Sequence, residues 1–261
     1  MVVRKHEDAL LAIGQPSHAW ISGQLARAWG NERFGSVCPW EEVCLAAEQH
    51  DVGMAEWDLE PELDPDTGGP RSFMAMPLET HLTLWTRAPH RLRAQSRLAA
   101  LLVSLHGTGL YERRDLEAMD PERAEVARRY LAGQRSLQER WLAEMRADPE
   151  TAGAATPDLV ERNRALVWAW DSLSLALLLD WAPHDTDPVP TRGEATSLRL
   201  AEAEGAPRRF TLDPWPFARE RVVVRCEGRR LDERFANELA MRAALESAAW
   251  VTLRYELEPA R

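Results

Sequence analysis

Residues 39–53 read Pro-Trp-Glu-Glu-Val-Cys-Leu-Ala-Ala-Glu-Gln-His-Asp-Val-Gly, and they predict a helix that ends at a His-Asp pair. Val43 and Ala47 precede His50 by seven and three residues, which is the spacing of a single helical face. Proline suits the first turn of such a helix, and glycine suits its exit. An imidazole beside a carboxylate offers ligands for one or two metal ions.

Two further histidines fall on the apolar faces of other predicted helices. In a helix expected over residues 17–29, His18 lies three residues before Ile21. In a segment that a proline opens, His81 lies four residues before Trp85, again on one face. An unpartnered polar group that is buried on such a face costs about 1–3 kcal/mol, so each ring needs a partner.

Two more helices add one polar residue each. A leucine-rich stripe over residues 98–105 continues into His106, and Gly107 with the glycine two residues later is expected to end that helix. Asp171 lies on the broad apolar face of a long helix expected over residues 157–181. A buried carboxylate also requires a partner.

The order His, His-Asp, His, His, Asp on successive helices resembles the HD-domain superfamily of metal-dependent phosphohydrolases. His50-Asp51-Val52-Gly53 is similar to the His-Asp-Ile-Gly signature of that superfamily, and the resemblance covers about residues 15–182. A closer likeness is to an uncharacterised bacterial group that has this helical domain, a Ser-Leu-His-Gly stretch and a short β-rich tail. The resemblance implies six metal ligands: His18, His50, Asp51 and Asp171 for a first ion, with Asp51 bridging, and His81 and His106 for a second.

The fold class expected from this resemblance and from the spacing is mainly α. An HD-domain-like helical bundle over residues 1–182 would be followed by a small antiparallel β-rich subdomain over residues 183–261. Three prolines punctuate the start of the second part, and a helix is expected between residues 232 and 248. Short alternating runs predict the strands: Leu198 with Leu200, Phe210 with Leu212, Val222 to Val224, and Val251 to Leu257.

The resemblance implies metal-assisted hydrolysis of a small-molecule phosphoester. Two divalent cations would lower the pKa of a bridging water toward neutrality. Histidine with carboxylate suits Fe, Mn, Co or Zn better than Mg or Ca. Two alternatives stay open: a mixed-valence di-iron oxygenase that uses the same ligands, and a non-catalytic metal-bound interaction module.

One position departs from the superfamily pattern. In related enzymes a lysine follows the His-Asp-x-Gly core and contacts a substrate anion, whereas here the residue is Met54. Methionine carries no charge, so either another cation makes that contact or the substrate differs. Arg71, in a glycine-containing loop over residues 64–76, is the candidate, and it joins Asp51 as an expected catalytic residue.

Each histidine also has a structural explanation. A single histidine on an apolar face is more often a hydrogen-bonded core residue than a metal ligand. His90 is a nearby substitute for His81. The second His-Asp pair, His184-Asp185, is flanked by prolines and is expected to lie in a loop outside the site.

Composition restricts the partners and the location. The chain has 261 residues and a net charge of −10, which argues against non-specific binding of nucleic acid. No apolar run reaches transmembrane length, and the amino terminus does not resemble a signal peptide. The three cysteines lack Cys-x-x-Cys spacing, as is typical of a reducing compartment. A cytoplasmic protein with a small-molecule substrate is expected, and no feature indicates its oligomeric state.

Overall fold

The helices and strands are given for residues 1–6 and 8–260, which the computed structural model describes. The helices are α1 (Gln15–Ala28), α2 (Trp40–Gln49), α3 (Ala55–Leu59), α4 (Leu78–Leu92), α5 (Arg97–Glu112), α6 (Pro121–Ala147), α7 (Pro149–Ala152), α8 (Pro157–Leu178) and α9 (Glu238–Ser247). Short 3-10 turns occupy Val52–Met54, Phe73–Ala75 and Gly153–Ala155. The strands are β1 (Val2–His6), β2 (Ala9–Ile13), β3 (Leu63–Asp64), β4 (Gly69–Pro70), β5 (His184–Asp185), β6 (Arg199–Glu202), β7 (Arg209–Asp213), β8 (Val222–Leu231) and β9 (Trp250–Pro259).

The expected fold class, mainly α with a small antiparallel β-rich subdomain, is wrong. The chain is 51% helical and 19% strand, and seven strands form one large curled sheet. Their order is β1-β2-β8-β9-β7-β6-β5. The sheet is mixed because β7 runs parallel to β9, whereas the other neighbouring strands pair antiparallel.

The sheet takes strands from both sides of the expected boundary at residues 182 and 183. Leu10 in β2 lies opposite Leu231 in β8, so the two ends of the chain meet in the middle of the sheet. The division into two domains stays a prediction. The pattern of β2, Ala-Leu-Leu-Ala-Ile, is a short continuous apolar run, and such a run fits a buried strand and a buried helix equally well.

Alternating side chains fix which face of the sheet meets the helices. Along β8, Val222, Val224 and Cys226 are buried while the residues between them are exposed. Successive side chains of a strand point to opposite faces, so this strand has one face toward the core and one toward solvent. Helix α1 packs against β8, and on its other sides it packs against α2 and α8. Helix α1 therefore connects the sheet to the helical bundle.

The His-Asp turn is held close to α4. A Cβ atom on Gly53 would lie 2.7 Å from the Cβ of Ala88 and 2.8 Å from the carbonyl oxygen of Leu84. No side chain fits in that space, so glycine is required where the turn after α2 approaches α4. This contact fixes the depth at which His50 and Asp51 enter the bundle.

Helix α5 does not end at Gly107 as expected, but continues to Glu112. A Cβ on Gly107 would lie 2.6 Å from the indole of Trp85 and 2.8 Å from the hydroxyl of Tyr130. Gly107 therefore allows α4 and α6 to approach α5 closely, and it does not terminate the helix. Across residues 1–6 and 8–260, no helix is both long enough and apolar enough to cross a membrane.

Candidate metal centre

Five of the six expected ligands meet in the interior of the helical bundle. His18 comes from α1, His50 and Asp51 from the end of α2, His106 from α5 and Asp171 from α8, and all five are buried. They form two overlapping groups, His18 with His50 and Asp51, and His50 with His106 and Asp171, in each of which the ligand atoms lie within 4.8 Å of one another. These residues could hold a metal ion.

The separations between the ligand atoms match those around one ion. His18 Nε2 lies 3.0 Å from His50 Nε2, 3.2 Å from Asp51 Oδ2 and 3.1 Å from Asp171 Oδ1. The Nε2 atoms of His50 and His106 lie 3.3 Å and 3.5 Å from the Asp171 carboxylate. Nitrogen and oxygen ligands about 2.0–2.2 Å from a common ion are separated by about 3.0–3.4 Å. The atoms that surround His18 Nε2 are therefore spaced like the ligands of one ion, whereas His106 lies beside the other oxygen of Asp171 and His50 Nε2 lies 3.7 Å from Asp51 Oδ2.

Hydrogen bonds on the outer side of two rings fix where their protons lie. His50 Nδ1 donates to the carbonyl oxygen of Ala47 at 2.8 Å. The hydroxyl of Ser174 donates to the carbonyl oxygen of Asp171, so it accepts a hydrogen bond from His18 Nδ1 at 2.6 Å. In the neutral form of each ring the Nε2 lone pair then faces the centre. Two such lone pairs 3.0 Å apart, beside two carboxylates, require a cation between them, either a proton or a metal ion.

The pKa values of the clustered residues show that the two carboxylates strongly favour a cation between the rings. Burial by itself lowers the pKa of His18, but hydrogen bonds that the ring donates to Asp171 and Asp51 outweigh burial and raise that pKa to about 9. Burial raises the pKa of Asp171, yet His18 and His50 hold it well below its ordinary value. The pKa of Asp51 is lowered in the same way, with burial again opposed by His50 and His18. Without a metal the two carboxylates stay charged, and the proton on His18 takes the place of a bound cation.

His106 differs from the other two histidines of the cluster. Burial lowers its pKa to about 4, so the ring is neutral. Its Nδ1 is buried and, among the described residues, has no hydrogen-bond partner. The ring lies between the indoles of Trp85 and Trp168, with ring centres 5.5 Å and 5.3 Å away. Packing rather than an outer hydrogen bond therefore orients His106 toward Asp171.

His81, the sixth expected ligand, lies outside both groups of ligand atoms. Its Nε2 accepts a hydrogen bond from the indole Nε1 of Trp85 at 2.9 Å, and its Nδ1 lies 2.5 Å from the hydroxyl of Tyr111. Both ring nitrogens are thus already bonded within the protein. The suggested substitute, His90, packs its ring against Trp141 and does not line the cleft beside the cluster.

A cleft of about 300 Å³ opens onto the cluster. His18, Asp51, His106 and Asp171 line it, and so do His81, Tyr111, Arg114 and Arg123. Arg71, the expected anion contact, lies elsewhere, with its Nε 3.1 Å from Glu62 Oε2. Met54 is buried in the core and is not one of the residues that line the cleft.

The cations of the cleft are therefore Arg114, which follows α5, and Arg123, in the first turn of α6. The sequence patterns did not indicate either residue, because the helix of His106 was expected to end at Gly107 and the glycine after it. The second pair, His184-Asp185, lies in β5 rather than in a loop, and His184 Nε2 lies 2.6 Å from the hydroxyl of Ser172. It is not part of the cluster.

The fold and the cluster define a class: a helical bundle joined to a curled mixed sheet, with buried imidazoles and carboxylates arranged for a cation. The chain belongs to the family described as "Protein of unknown function (DUF3891)", which matches residues 1–233. The match includes all five clustered residues and the cleft. Neither a curated protein nor a solved structure matches the chain.

Proposed function

We propose that the protein is a metal-dependent hydrolase of phosphoesters, related to the HD-domain superfamily. The observation that supports this most strongly is the pair of Nε2 atoms 3.0 Å apart, flanked by Asp51 and Asp171. Three imidazoles and two carboxylates suit Fe, Mn, Co or Zn better than Mg or Ca. When bound, such an ion lowers the pKa of a coordinated water and cancels charge on a phosphoryl oxygen.

The protein would contribute position and shielding. His18 and His50 donate hydrogen bonds from Nδ1 to the hydroxyl of Ser174 and the carbonyl of Ala47, so their Nε2 atoms stay directed at the ion. Asp51 and Asp171 stay ionised because their pKa values are lowered. The remaining wall of the cleft includes apolar side chains such as Leu110 and Leu175, which exclude bulk water from the reacting centre.

We infer one metal ion per chain for the site as it is arranged. The second position implied by the superfamily resemblance depends on His81, and this ring would have to give up the hydrogen bond to Trp85 or the one to Tyr111 to bind an ion. His106 instead supports the first position through Asp171.

The test is elemental analysis of the purified protein, followed by hydrolysis assays with p-nitrophenyl phosphate and bis-p-nitrophenyl phosphate. We expect about one Mn, Fe, Co or Zn per chain, and turnover that a chelator abolishes. His50→Ala should lose metal and turnover together. His184→Ala, in the His-Asp pair outside the cluster, is the matched control and should keep both.

Other outcomes would contradict the proposal in distinct ways. Two irons per chain with consumption of O2 would favour the oxygenase alternative. Stoichiometric metal without turnover of any phosphoester would favour a metal-bound interaction module. Absence of metal after growth and purification with each candidate ion would show that the cluster is not a metal site.

A further inference from the structure

Three residues beside the metal centre form a chain of hydrogen bonds with a fixed direction. An indole N–H can only donate, so Trp85 Nε1 donates to His81 Nε2. The remaining proton of His81 must then lie on Nδ1, because the ring would otherwise be an imidazolate. His81 Nδ1 therefore donates to the hydroxyl oxygen of Tyr111 at 2.5 Å.

This direction leaves the Tyr111 hydroxyl proton free for another acceptor. Burial raises the pKa of Tyr111 to about 12, so the hydroxyl stays protonated. Burial, reinforced by Arg114, lowers the pKa of His81 to about 4, which keeps that ring neutral. The chain thus leaves one hydroxyl donor on Tyr111, a buried residue of the cleft wall, and Trp85 sets the direction of the hydrogen bonds that lead to it.

Two guanidinium groups lie beside that donor. The Arg114 guanidinium is 4.7 Å from the centre of the Tyr111 ring, and Arg123 lines the same cleft from the first turn of α6. Both act electrostatically on Tyr111. Within residues 1–6 and 8–260, neither guanidinium has an ion pair or a side-chain hydrogen bond.

Two carboxylates of an adjoining hollow form no ion pair with these arginines. Asp115 and Asp120 line an adjoining hollow with Arg114 and Arg123. Asp115 Oδ1 accepts the backbone N–H groups of two residues, and Asp120 Oδ1 accepts those of Glu122 and Arg123. The two carboxylates therefore cap turns, and the guanidinium groups stay available to a ligand.

We propose that Tyr111, Arg114 and Arg123 form an oxyanion-binding site that holds the phosphoryl group of the ligand beside the metal centre. This rests on the proposed function for the identity of the anion, but the site itself can be tested by binding alone. In this site His81 is a positioning residue, which orients the Tyr111 hydroxyl and does not bind metal. Arg114 and Arg123 take the place of the lysine that Met54 replaces.

The experiment measures binding of inorganic phosphate to the full chain by calorimetry, with metal bound and after chelation. Arg114→Ala and Arg123→Ala should each weaken phosphate binding by about tenfold or more, as for loss of a charge-assisted hydrogen bond. Arg140→Ala is the matched control, because Arg140 is an exposed arginine on the same helix as Arg123 and is not near the cleft. Metal content by elemental analysis should be unchanged in all three variants.

A double-variant measurement of phosphate binding tests whether His81 positions Tyr111. Tyr111→Phe and His81→Ala should each weaken phosphate binding by about threefold to tenfold, and the double variant should be no weaker than Tyr111→Phe, since His81 acts only by orienting the Tyr111 hydroxyl. A merely structural His81 would add its effect to that of Tyr111→Phe. His81→Ala should also keep the full metal content.

Three results would overturn the proposal. The first is a parent protein that binds no phosphate at millimolar concentration in either form. The second is phosphate affinity equal to that of the parent in both arginine variants. The third is loss of metal in His81→Ala, which would make His81 a ligand. Acetate serves as a second probe, and tighter binding of acetate than of phosphate would exclude a phosphoryl group. Loss of metal in the parent with phosphate binding intact would contradict only the proposed hydrolase.

Discussion

Asp171 is the side chain that all three clustered histidines share. Its carboxylate lies 3.1 Å from His18, 3.3 Å from His50 and 3.5 Å from His106. Each of these rings comes from a different helix, so one carboxylate on α8 links α1, α2 and α5 at the centre. A change at this position should affect metal binding more than a change at any single histidine.

We expect Asp171→Asn to lose stabilisation by metal. Adding Mn²⁺ at about 100 times its Kd should raise the free energy of unfolding of the parent by about 2.7 kcal/mol. Urea denaturation of the variant should give the same midpoint with Mn²⁺ and with chelator, because the amide cannot replace the charged ligand. Asp185→Asn, in the exposed part of the second His-Asp pair, is the control and should respond as the parent does. If Mn²⁺ stabilised Asp171→Asn as much as the parent, Asp171 would not be a metal ligand.

The lowered pKa of His81 predicts how the free energy of unfolding changes at acidic pH. Its pKa is lowered by burial, and further by Arg114, from 6.5 to about 4. The unfolded chain therefore binds the proton first as the pH falls, so the contribution of the neutral ring is complete above pH 6.5 and is lost between 6.5 and about 4. One such group contributes a slope of at most about 1.4 kcal/mol per pH unit. In chelator-treated protein, His81→Gln should show a shallower fall in the free energy of unfolding over that interval; equal slopes would contradict the assignment.

The histidines also show what spacing can and cannot reveal. His18, His106 and His81 all occupy apolar helical faces, and that pattern correctly indicates that each ring needs a buried partner. The partner of His81 is an indole one turn away on its own helix and a hydroxyl on α5. Periodicity locates a buried polar ring, but it does not distinguish a metal ligand from a hydrogen-bonded one.

Gly107 lets other helices pack closely against α5, although glycine usually weakens a helix. Replacing glycine by alanine inside a helix stabilises it by about 1 kcal/mol. At Gly107 the new methyl group would meet Trp85 at 2.6 Å, and such overpacking costs about 1–3 kcal/mol. We therefore expect Gly107→Ala to be destabilised on balance by up to about 2 kcal/mol in urea denaturation.

Gly133 in α6 provides the matched control. Nothing lies within 4 Å of a Cβ added there, so Gly133→Ala should be stabilised by about 0.5–1 kcal/mol. Stabilisation of both variants would show that α4 can move away from α5, and that Gly107 does not set their distance.

The strength of the apolar stripe explains which helices the sequence predicts. Helices α1, α2, α4 and α8 carry strong apolar stripes and lie where spacing places them. Helix α6 has 27 residues and was not predicted, because small and polar residues such as Ala127 and Gln134 interrupt its buried stripe and charged residues surround it. The α6 stripe becomes recognisable only against α5, where Ala127 and Leu131 are buried.

Local sequence patterns could not predict the seven-stranded sheet. Strands β6, β7, β8 and β9 alternate and lie close to the expected runs, but β1 and β2 join them from the other end of the chain. Pairing between distant segments depends on the whole fold, and no local spacing encodes it. The fold-class prediction failed for that reason, although the helical site was recognisable.

We expect a fragment of residues 183–261 to lack a cooperative unfolding transition. Without β2, the row of backbone groups on β8 that pairs with it becomes a free edge, and without α1 the apolar face of β8 is exposed. Circular dichroism and heat denaturation of the fragment, beside the full chain, would check this. A sharp transition in the fragment would establish the boundary at 182 as a domain boundary.

The pairing of β2 with β8 also orders events during synthesis. The partner of β1 is β2, which follows it directly in the sequence, but the second partner of β2 leaves the ribosome only when Leu231 does. By then all five residues of the metal cluster have already been made. The helices around the cluster can therefore assemble, and take up an ion, while one edge of the hairpin is still open. An early-bound ion would hold α1 in place as the surface on which the late strands close.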